Sequence, residues 1–418
     1  MRVLHLNTLL VGGAAIAAQR LHMGLCKENI ESRFLYREGD TDKPGYLKWT
    51  WQRRNLFSRI RRRRLFLREE AANKKYLKNR PEGFERFSTA TLSEGVRLSD
   101  IDFNADIINL HWISDMFNYN DFFSSIPQNK PIVWTLHDMN AFTGGCHYSN
   151  NCNGYINNCG NCPQLDNRSA NDISNKSFSS KSYSYNKYFR DRVCIVAPSR
   201  WLAETARRSK LLMNYEIHCI SNGLDINIFK PRNRLKARKL LGIPEDTQVL
   251  LFVADGLDNH RKGFDILVEA LKTIASSKNI FLLTVGGGAP QQELSKNHIH
   301  LGYVDIEERM PMVYSAADLF IAPSREDNLP NTVLESISCG TPVVAFDQGG
   351  LSDLVKPGLS GYLVKELTVK AIVEAIESFL NTPATEYSLR DRCRETAIKN
   401  FSSDLQAKKY IDLYHSLL

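Results

Sequence analysis

The strongest constraint on this chain is a series of short apolar runs separated by helical patterns, which begins at residue 2 and starts over near residue 247. The first set covers residues 2–7, 106–111, 132–137, 193–197 and 216–220. The second covers 249–254, 280–286, 298–303, 318–322 and 342–346. Between the runs, Ala14, Ala17, Ala18, Leu21 and Leu25 line one helical face, as do Phe264, Leu267, Val268, Leu271 and Ile274. Strands alternating with helices imply parallel sheets covered on both faces. The expected fold is therefore α/β, with two Rossmann-like, doubly wound domains whose strand C-terminal ends surround one cleft.

A length of 418 residues also calls for two or three domains. Residues 227–247 carry no strand and are rich in charge and proline, which places the hinge there. The expected domains are 1–226, 227–400 and a closing helix over 401–418. That helix is amphipathic through Leu405, Tyr410, Leu413, Tyr414 and Leu417, and is expected to pack back on the first domain.

With 43% apolar and 24% charged residues, nothing in the composition suggests disorder. The net charge of +8 permits anionic partners such as nucleotides, lipid headgroups or nucleic acid, without choosing among them. No apolar run approaches the roughly 18 residues of a membrane-spanning helix. The N-terminus imitates a signal peptide, but His5 and Asn7 interrupt its apolar stretch, and Val3, Leu4 and Leu6 alternate with polar residues as a first strand would. Nine cysteines, an odd number with four crowded between Cys146 and Cys162, suit a reducing compartment better than a disulfide framework. A cytoplasmic location is expected.

Three motifs carry chemistry. Val11-Gly12-Gly13 follows the first strand and precedes a helix, where glycines admit a bound group and the helix start offers N–H donors to an anion. An ordinary strand-to-helix turn explains it as well. Residues 255–264, DGLDNHRKGF, repeat that context in the second half and place Arg261 and Lys262 at the sheet mouth, where adjacent cations can neutralise a diphosphate. A solvated pair is the plainer reading. Residues 324–342, SREDNLPNTVLESISCGTP, form a proline-punctuated loop and then a helix from about Asn331 to Cys339. Asp327 stands on the loop and Glu335 late in the helix among Val333, Leu334 and Ile337; an acid in such company needs a partner. The two carboxylates suit opposite ends of a polyhydroxylated ligand, and N–H groups around Leu329, Pro330 and Asn331 would face phosphates.

The run PSREDNLPNTVLESISCGTPVVAFDQGGLSDLV resembles the signature of retaining glycosyltransferases of family 4, which adopt the GT-B fold. Asn222-Gly223-Leu224-Asp225, Arg261-Lys262-Gly263, Gly286-Gly287-Gly288, Gly302-Tyr303 and residues 358–364 occur in that family's order. The N-terminal half matches more loosely, through Gly12-Gly13, His111, residues 135–138 and 197–201. The stretch TLHDMNAFTGGCHYSNNC…CGNCPQL resembles a bacterial subgroup that builds capsular, colanic-acid-like and lipopolysaccharide O-antigen chains.

The resemblance implies a nucleotide-sugar co-substrate, UDP- or GDP-linked, a saccharide acceptor that is lipid-linked, and no cofactor required for catalysis. It makes Lys262 the ligand of the donor diphosphate with Arg261 assisting. Asp327 takes the place of the family's first glutamate on sugar hydroxyls, and Glu335 that of the second on the ribose. It sets His137 near the transferred sugar, Gly13 in the loop facing the diphosphate, and Leu329, Pro330 and Asn331 in the sugar- and phosphate-facing loop. The chain departs from the pattern in having Asp at 327, with Glu326 beside it, Gly256 where many members have a second arginine, and Asp353 after the double glycine.

Two features stand outside this reading. Cys146, Cys152, Cys159 and Cys162 follow Cys-x5-Cys-x6-Cys-x2-Cys, which fits either a structural zinc or free thiols. Residues 53–68, RRNLFSRIRRRRLFLR, form either a solvated basic helix or a surface that docks on anionic lipid, which would make the protein peripheral to the inner face of the membrane. Together these two raise a rival function, nucleic-acid binding, but they stand far apart and explain none of the C-terminal motifs. A dinucleotide-dependent oxidoreductase is disfavoured by the lack of a GxGxxG fingerprint followed by a ribose-binding acid. Asp40/Asp42 and Asp100/Asp102 match a metal-binding DxD only by letters.

Overall fold

The computed structural model describes residues 1–50, 60, 64, 67–68, 71, 75–78, 80–90, 96–98, 101, 103–274, 279–288, 297–304, 307–382 and 387–418. Most of the basic run at 53–68 lies outside the described residues, and with it the expected basic helix. The chain divides into two compact units, Met1–Ile220 with Ala407–Leu418, and Ser221–Gln406.

The first unit is built on strands β1 (Arg2–Leu9), β2 (Glu31–Glu38), β3 (Tyr46–Lys48), β4 (Ile107–Leu110), β5 (Ile132–Thr135), β6 (Val193–Ala197) and β7 (Ile217–Cys219). They form a parallel sheet in the order β3-β2-β1-β4-β5-β6-β7. The second unit has β8 (Gln248–Gly256), β9 (Ile280–Gly287), β10 (His298–His300), β11 (Leu319–Ala322), β12 (Val343–Phe346) and β13 (Gly361–Val364). Their order is β10-β9-β8-β11-β12-β13, again parallel throughout. Two doubly wound sheets are the expected GT-B arrangement of elements.

Each strand order reverses once, between β1 and β4 and between β8 and β11. A crevice opens at the carboxyl end of the strands at such a reversal, which makes it the natural place for a ligand. Apolar side chains cover both faces of each sheet. On the second, Val249, Leu251 and Val343 face one core, while Leu250, Phe252 and Val344 face the other.

Three strands were not expected. β2 (ESRFLYRE) has charged ends around a buried Phe34–Tyr36 centre, so its apolar stretch is too short to stand out. β3 and β13 are three and four residues long.

The closing helix, Ser403–Leu417, belongs to the first unit from Ala407 onward, so the chain passes between the units twice. Tyr410 and Tyr414 are fully buried against Leu21, Leu25, Val133 and Val196. Their hydroxyls are satisfied inside the core: Asn109 Nδ2 donates to Tyr414 at 2.7 Å, and Tyr410 shares a 2.9 Å bond with Thr135, which donates to Asn109 Oδ1. Buried tyrosines are tolerated because each O–H has a partner.

In the second unit the helix Arg234–Leu241 is anchored by a fully buried arginine. Arg238 donates to the carbonyls of Ala316, Glu245 and Thr247 at 2.8–3.0 Å and to Asp318 Oδ2 at 2.6 Å. Asp318 also accepts the Val249 N–H and pairs with Arg234. Arg238→Met therefore strands three carbonyls and removes one of the two arginines that pair with Asp318. Urea unfolding should show a loss of about 3 kcal/mol or more; an unchanged midpoint would mean that water replaces the guanidinium without cost.

Candidate active site

The site in the second unit starts from backbone geometry. β8 ends at Gly256, and a turn, His260–Lys262, leads through Gly263 into the helix Phe264–Ile274. Gly263 has a φ of +74°, and a Cβ there would lie 2.0 Å from the Pro323 carbonyl oxygen. Only glycine lets the turn close on the loop that leaves β11. The approach is fastened by Arg325, whose N–H donates to the Arg261 carbonyl at 2.8 Å and whose guanidinium donates to the His260 carbonyl. Arg325 also grips both oxygens of Asp265, at 2.8 and 2.6 Å. Burial raises the Asp265 carboxyl, but Arg325 outweighs it and holds the group below the usual range.

This clamp brings Arg261, Lys262 and Asp327 together. Lys262 Nζ lies 2.7 Å and Arg261 Nη1 3.0 Å from the same oxygen, Asp327 Oδ2. Asp327 Oδ1 accepts the Asn328 N–H, and Arg261 also donates to the Glu326 carbonyl at 2.9 Å. Asp327 is 4% exposed. Burial alone would raise its carboxyl; Lys262 and Arg261 overcome that and hold it at about 2. From the other side Gly349, at φ +64°, backs onto Asp327 so closely that a Cβ would sit 1.8 Å from the Asp327 carbonyl, which also accepts the Gly350 N–H.

Leu329 and Pro330 carry the loop to the helix Asn331–Ser338, whose first turn has no side-chain cap. N–H groups at such a helix start favour an anion. Glu335 is buried on this helix and accepts a 2.8 Å hydrogen bond from Tyr314, the partner that its apolar neighbours require. Sequence reasoning missed Tyr314, Arg325, Asp265 and the backing role of Gly349. Only the glycines carried a signal, as fixed elements of the RKG and QGG steps.

In the first unit, Gly12 has a φ of +89° and leads into the helix Gly13–Lys27, with nothing within 4 Å of where its Cβ would be. Gly13 thus opens a helix beside open space, next to the β1/β4 reversal. His137 follows β5 and belongs to a line of imidazoles. His111 Nδ1 lies 3.0 Å from His137 Nε2, and His111 Nε2 lies 2.8 Å from His5 Nδ1. Burial lowers His137 to about 4, and it holds His5 and His111 well below the usual histidine range, so all three are neutral at pH 7. Next to His137, Asp138 accepts from Trp112 Nε1 at 2.8 Å, from His147 Nδ1 at 2.6 Å and from the Asn140 N–H.

His147 belongs to the cysteine-rich loop, and Cys146, Cys152, Cys159 and Cys162 all line one small cavity with Phe87 and Ser174. The expected zinc is not supported. The cysteines are free, and among the described residues no three His, Cys, Asp or Glu side chains are arranged to hold a metal ion. Burial raises the Cys146, Cys159 and Cys162 thiols above their usual range, Cys159 to about 12. Backbone hydrogen bonds and the fully buried Lys181, which donates to the Asn140 and Thr143 carbonyls, hold the loop without a metal.

Residues 233–400 match the family described as "Glycosyl transferases group 1", which accounts for most of the second unit. "D-inositol 3-phosphate glycosyltransferase 1" of Catenulispora acidiphila is 33% identical over 47% of this chain and 52% of its own length. The chain spans about half the length of the first such relatives. A protein named as the colanic acid biosynthesis glycosyl transferase WcaC, from Escherichia coli K12, aligns over 100% of both chains at 24% identity. Among solved structures, Anabaena HepE in complex with UDP and glucose superposes with a TM-score of 0.65 over 100% of both chains at 15% identity. The fold is that of the GT-B glycosyltransferases, and the group 1 match falls within the second unit.

Two outcomes test this geometry. The Asp327 carboxyl sits lower in the folded protein, at about 2, than the roughly 3.9 of an unfolded aspartate. Its stabilisation is thus complete above about pH 4 and is lost as the pH falls through 2. The stability difference between parent and Asp327→Asn should be about 2 kcal/mol larger at pH 6 than near pH 2; a difference independent of pH would dissolve the ion triad. At pH 8, iodoacetamide should label exposed Cys219 well before the half-buried Cys146 and Cys159, whose thiols burial raises; mass spectrometry showing equal rates would contradict that shielding.

Proposed function

We propose that this chain is a retaining glycosyltransferase that moves a sugar from a UDP- or GDP-sugar to a saccharide acceptor in bacterial surface polysaccharide synthesis. The observation that carries the reading is the pair Arg261 and Lys262, mostly buried and sharing one carboxylate at the β8/β11 reversal. Two fixed cations held on one carboxylate form a positively charged site for which a diphosphate is a natural ligand. The group 1 match over the same residues and the HepE complex support the choice of a nucleotide sugar. The colanic-acid relative supports the polysaccharide assignment, and a lipid-linked acceptor is the form of that assignment we favour.

In this reading Lys262 and Arg261 take the diphosphate and stabilise the charge that grows on it as the sugar leaves. Their cost of orientation is already met by the Arg325 clamp and by Asp327. The freed phosphate oxygen helps deprotonate the incoming hydroxyl on the same face, so no enzyme nucleophile is needed. Asp327 accepts from sugar hydroxyls, Glu335 from the ribose, and the Leu329–Pro330–Asn331 turn presents N–H groups to phosphate. His137 and Gly13 serve the transferred sugar and the diphosphate from the first unit. The group 1 match over residues 233–400 does not favour the nucleic-acid-binding alternative. Among the described residues no helix is long and apolar enough to cross a membrane, so docking on an anionic membrane surface is a proposal that rests on residues 53–68.

Selective thermal stabilisation by one member of a nucleotide-sugar panel is expected and would identify the donor. With that donor, Lys262→Ala should lower turnover by about 10²–10³. A folded variant that transfers sugar at the parent rate would remove Lys262 from the reaction.

A further inference from the structure

The line of histidines ends in a buried nitrogen with no partner, and that end decides where the protons lie. Each neutral imidazole carries one N–H and one acceptor nitrogen. His5, His111 and His137 are joined through Nδ1 to Nε2 and Nδ1 to Nε2, so the direction of one bond dictates the other. In one polarity every ring is protonated at Nδ1: His5 donates to His111, His111 donates to His137, and the remaining N–H is His137 Nδ1. In the opposite polarity every ring is protonated at Nε2, and the remaining N–H is that of His5.

His5 is 0% exposed, and its Nε2 has no hydrogen-bond partner. It is enclosed by the Phe34 ring, stacked at 6.3 Å, and the edge of His22 at 5.8 Å; the hydroxyl nearby, Ser32 Oγ, is engaged with His22. The second polarity would bury an N–H donor there with nothing to receive it. An orphaned buried N–H is rarer than an under-used acceptor lone pair. The first polarity leaves only a lone pair at His5 and places the third N–H at His137 Nδ1.

We propose that His5 and His111 act as positioning residues that lock His137 as the neutral Nδ1–H tautomer, so that His137 works as a hydrogen-bond donor and not as a base. Its Nε2 lone pair is consumed by His111, and the nitrogen turned away from His111 carries the proton. Such a donor suits an oxygen of the sugar or of its leaving phosphate. That last assignment rests on the glycosyltransferase reading; the lock itself does not.

The test is a two-bond ¹⁵N–¹H correlation spectrum of the full chain labelled with ¹⁵N-histidine at pH 7, with His137→Asn supplying the assignment. Neutral His137 protonated at Nδ1 is expected. An Nε2–H tautomer or an imidazolium at His137 overturns the proposal, and this readout needs no variant of the relay to fold. His5→Phe keeps a ring beside Phe34 but deletes the donor that sets the polarity, so the Nε2–H form of His137 should rise from undetected to about a tenth or more, the scale of one lost hydrogen bond. A His137 spectrum identical to the parent's would show that His5 does not set the tautomer. UDP-glucose and GDP-mannose are then added separately to the parent. A shifted His137 N–H supports its placement at the sugar; an Nδ1–H tautomer that neither nucleotide sugar perturbs keeps the lock and removes only the glycosyltransferase reading of His137.

Discussion

One carboxylate oxygen, Asp327 Oδ2, is the point on which the second unit's chemistry turns. Arg261 and Lys262 are adjacent, mostly shielded from water, and would repel each other if left alone. The buried Asp327 carboxylate between them makes the pair tolerable. That state is poised: fully neutralised cations would have little affinity for phosphate, and unneutralised ones would cost stability. The arrangement exists only because backbone meets backbone twice without side chains between. Gly263 lies against Pro323 on one side and Gly349 against Asp327 on the other.

Much of this architecture was legible in the chain itself. Long central strands such as β1, β8 and β9 are buried on both faces and therefore appear as apolar runs, and the RKG and double-glycine steps mark where close approach is needed. What stayed hidden has a common physical cause. β2 spends its ends in water, and β3 and β13 are too short to build a pattern. Arg325 and Asp265 look like ordinary surface charges in sequence; they are made into a clamp by two segments that meet only in three dimensions. Tyr314 is likewise remote in sequence from the glutamate it satisfies.

The cysteine-rich loop shows how spacing can mislead. Its four sulfurs do converge, as the spacing implied, but on a cavity whose cysteines are free. One contact of the loop with the rest of the unit is His147 on Asp138, the residue after His137. A segment that looked like an independent metal module is, in the folded chain, a brace behind the candidate site. Lys181, buried with its ammonium on two loop carbonyls, does the tethering that a metal would otherwise provide, although burial lowers it to about 8.

The two units divide their electrostatics in a consistent way. The second holds formal charges whose protonation is pinned by pairing, with Asp327 kept ionised far below neutral pH. The first holds neutral imidazoles whose protonation is pinned by burial, with His137 at about 4. A transfer reaction whose charge builds on a leaving diphosphate needs strong fixed cations at one place and uncharged, directional donors elsewhere. Kept neutral, the three histidines add no positive charge to the first unit and interact through hydrogen-bond direction alone.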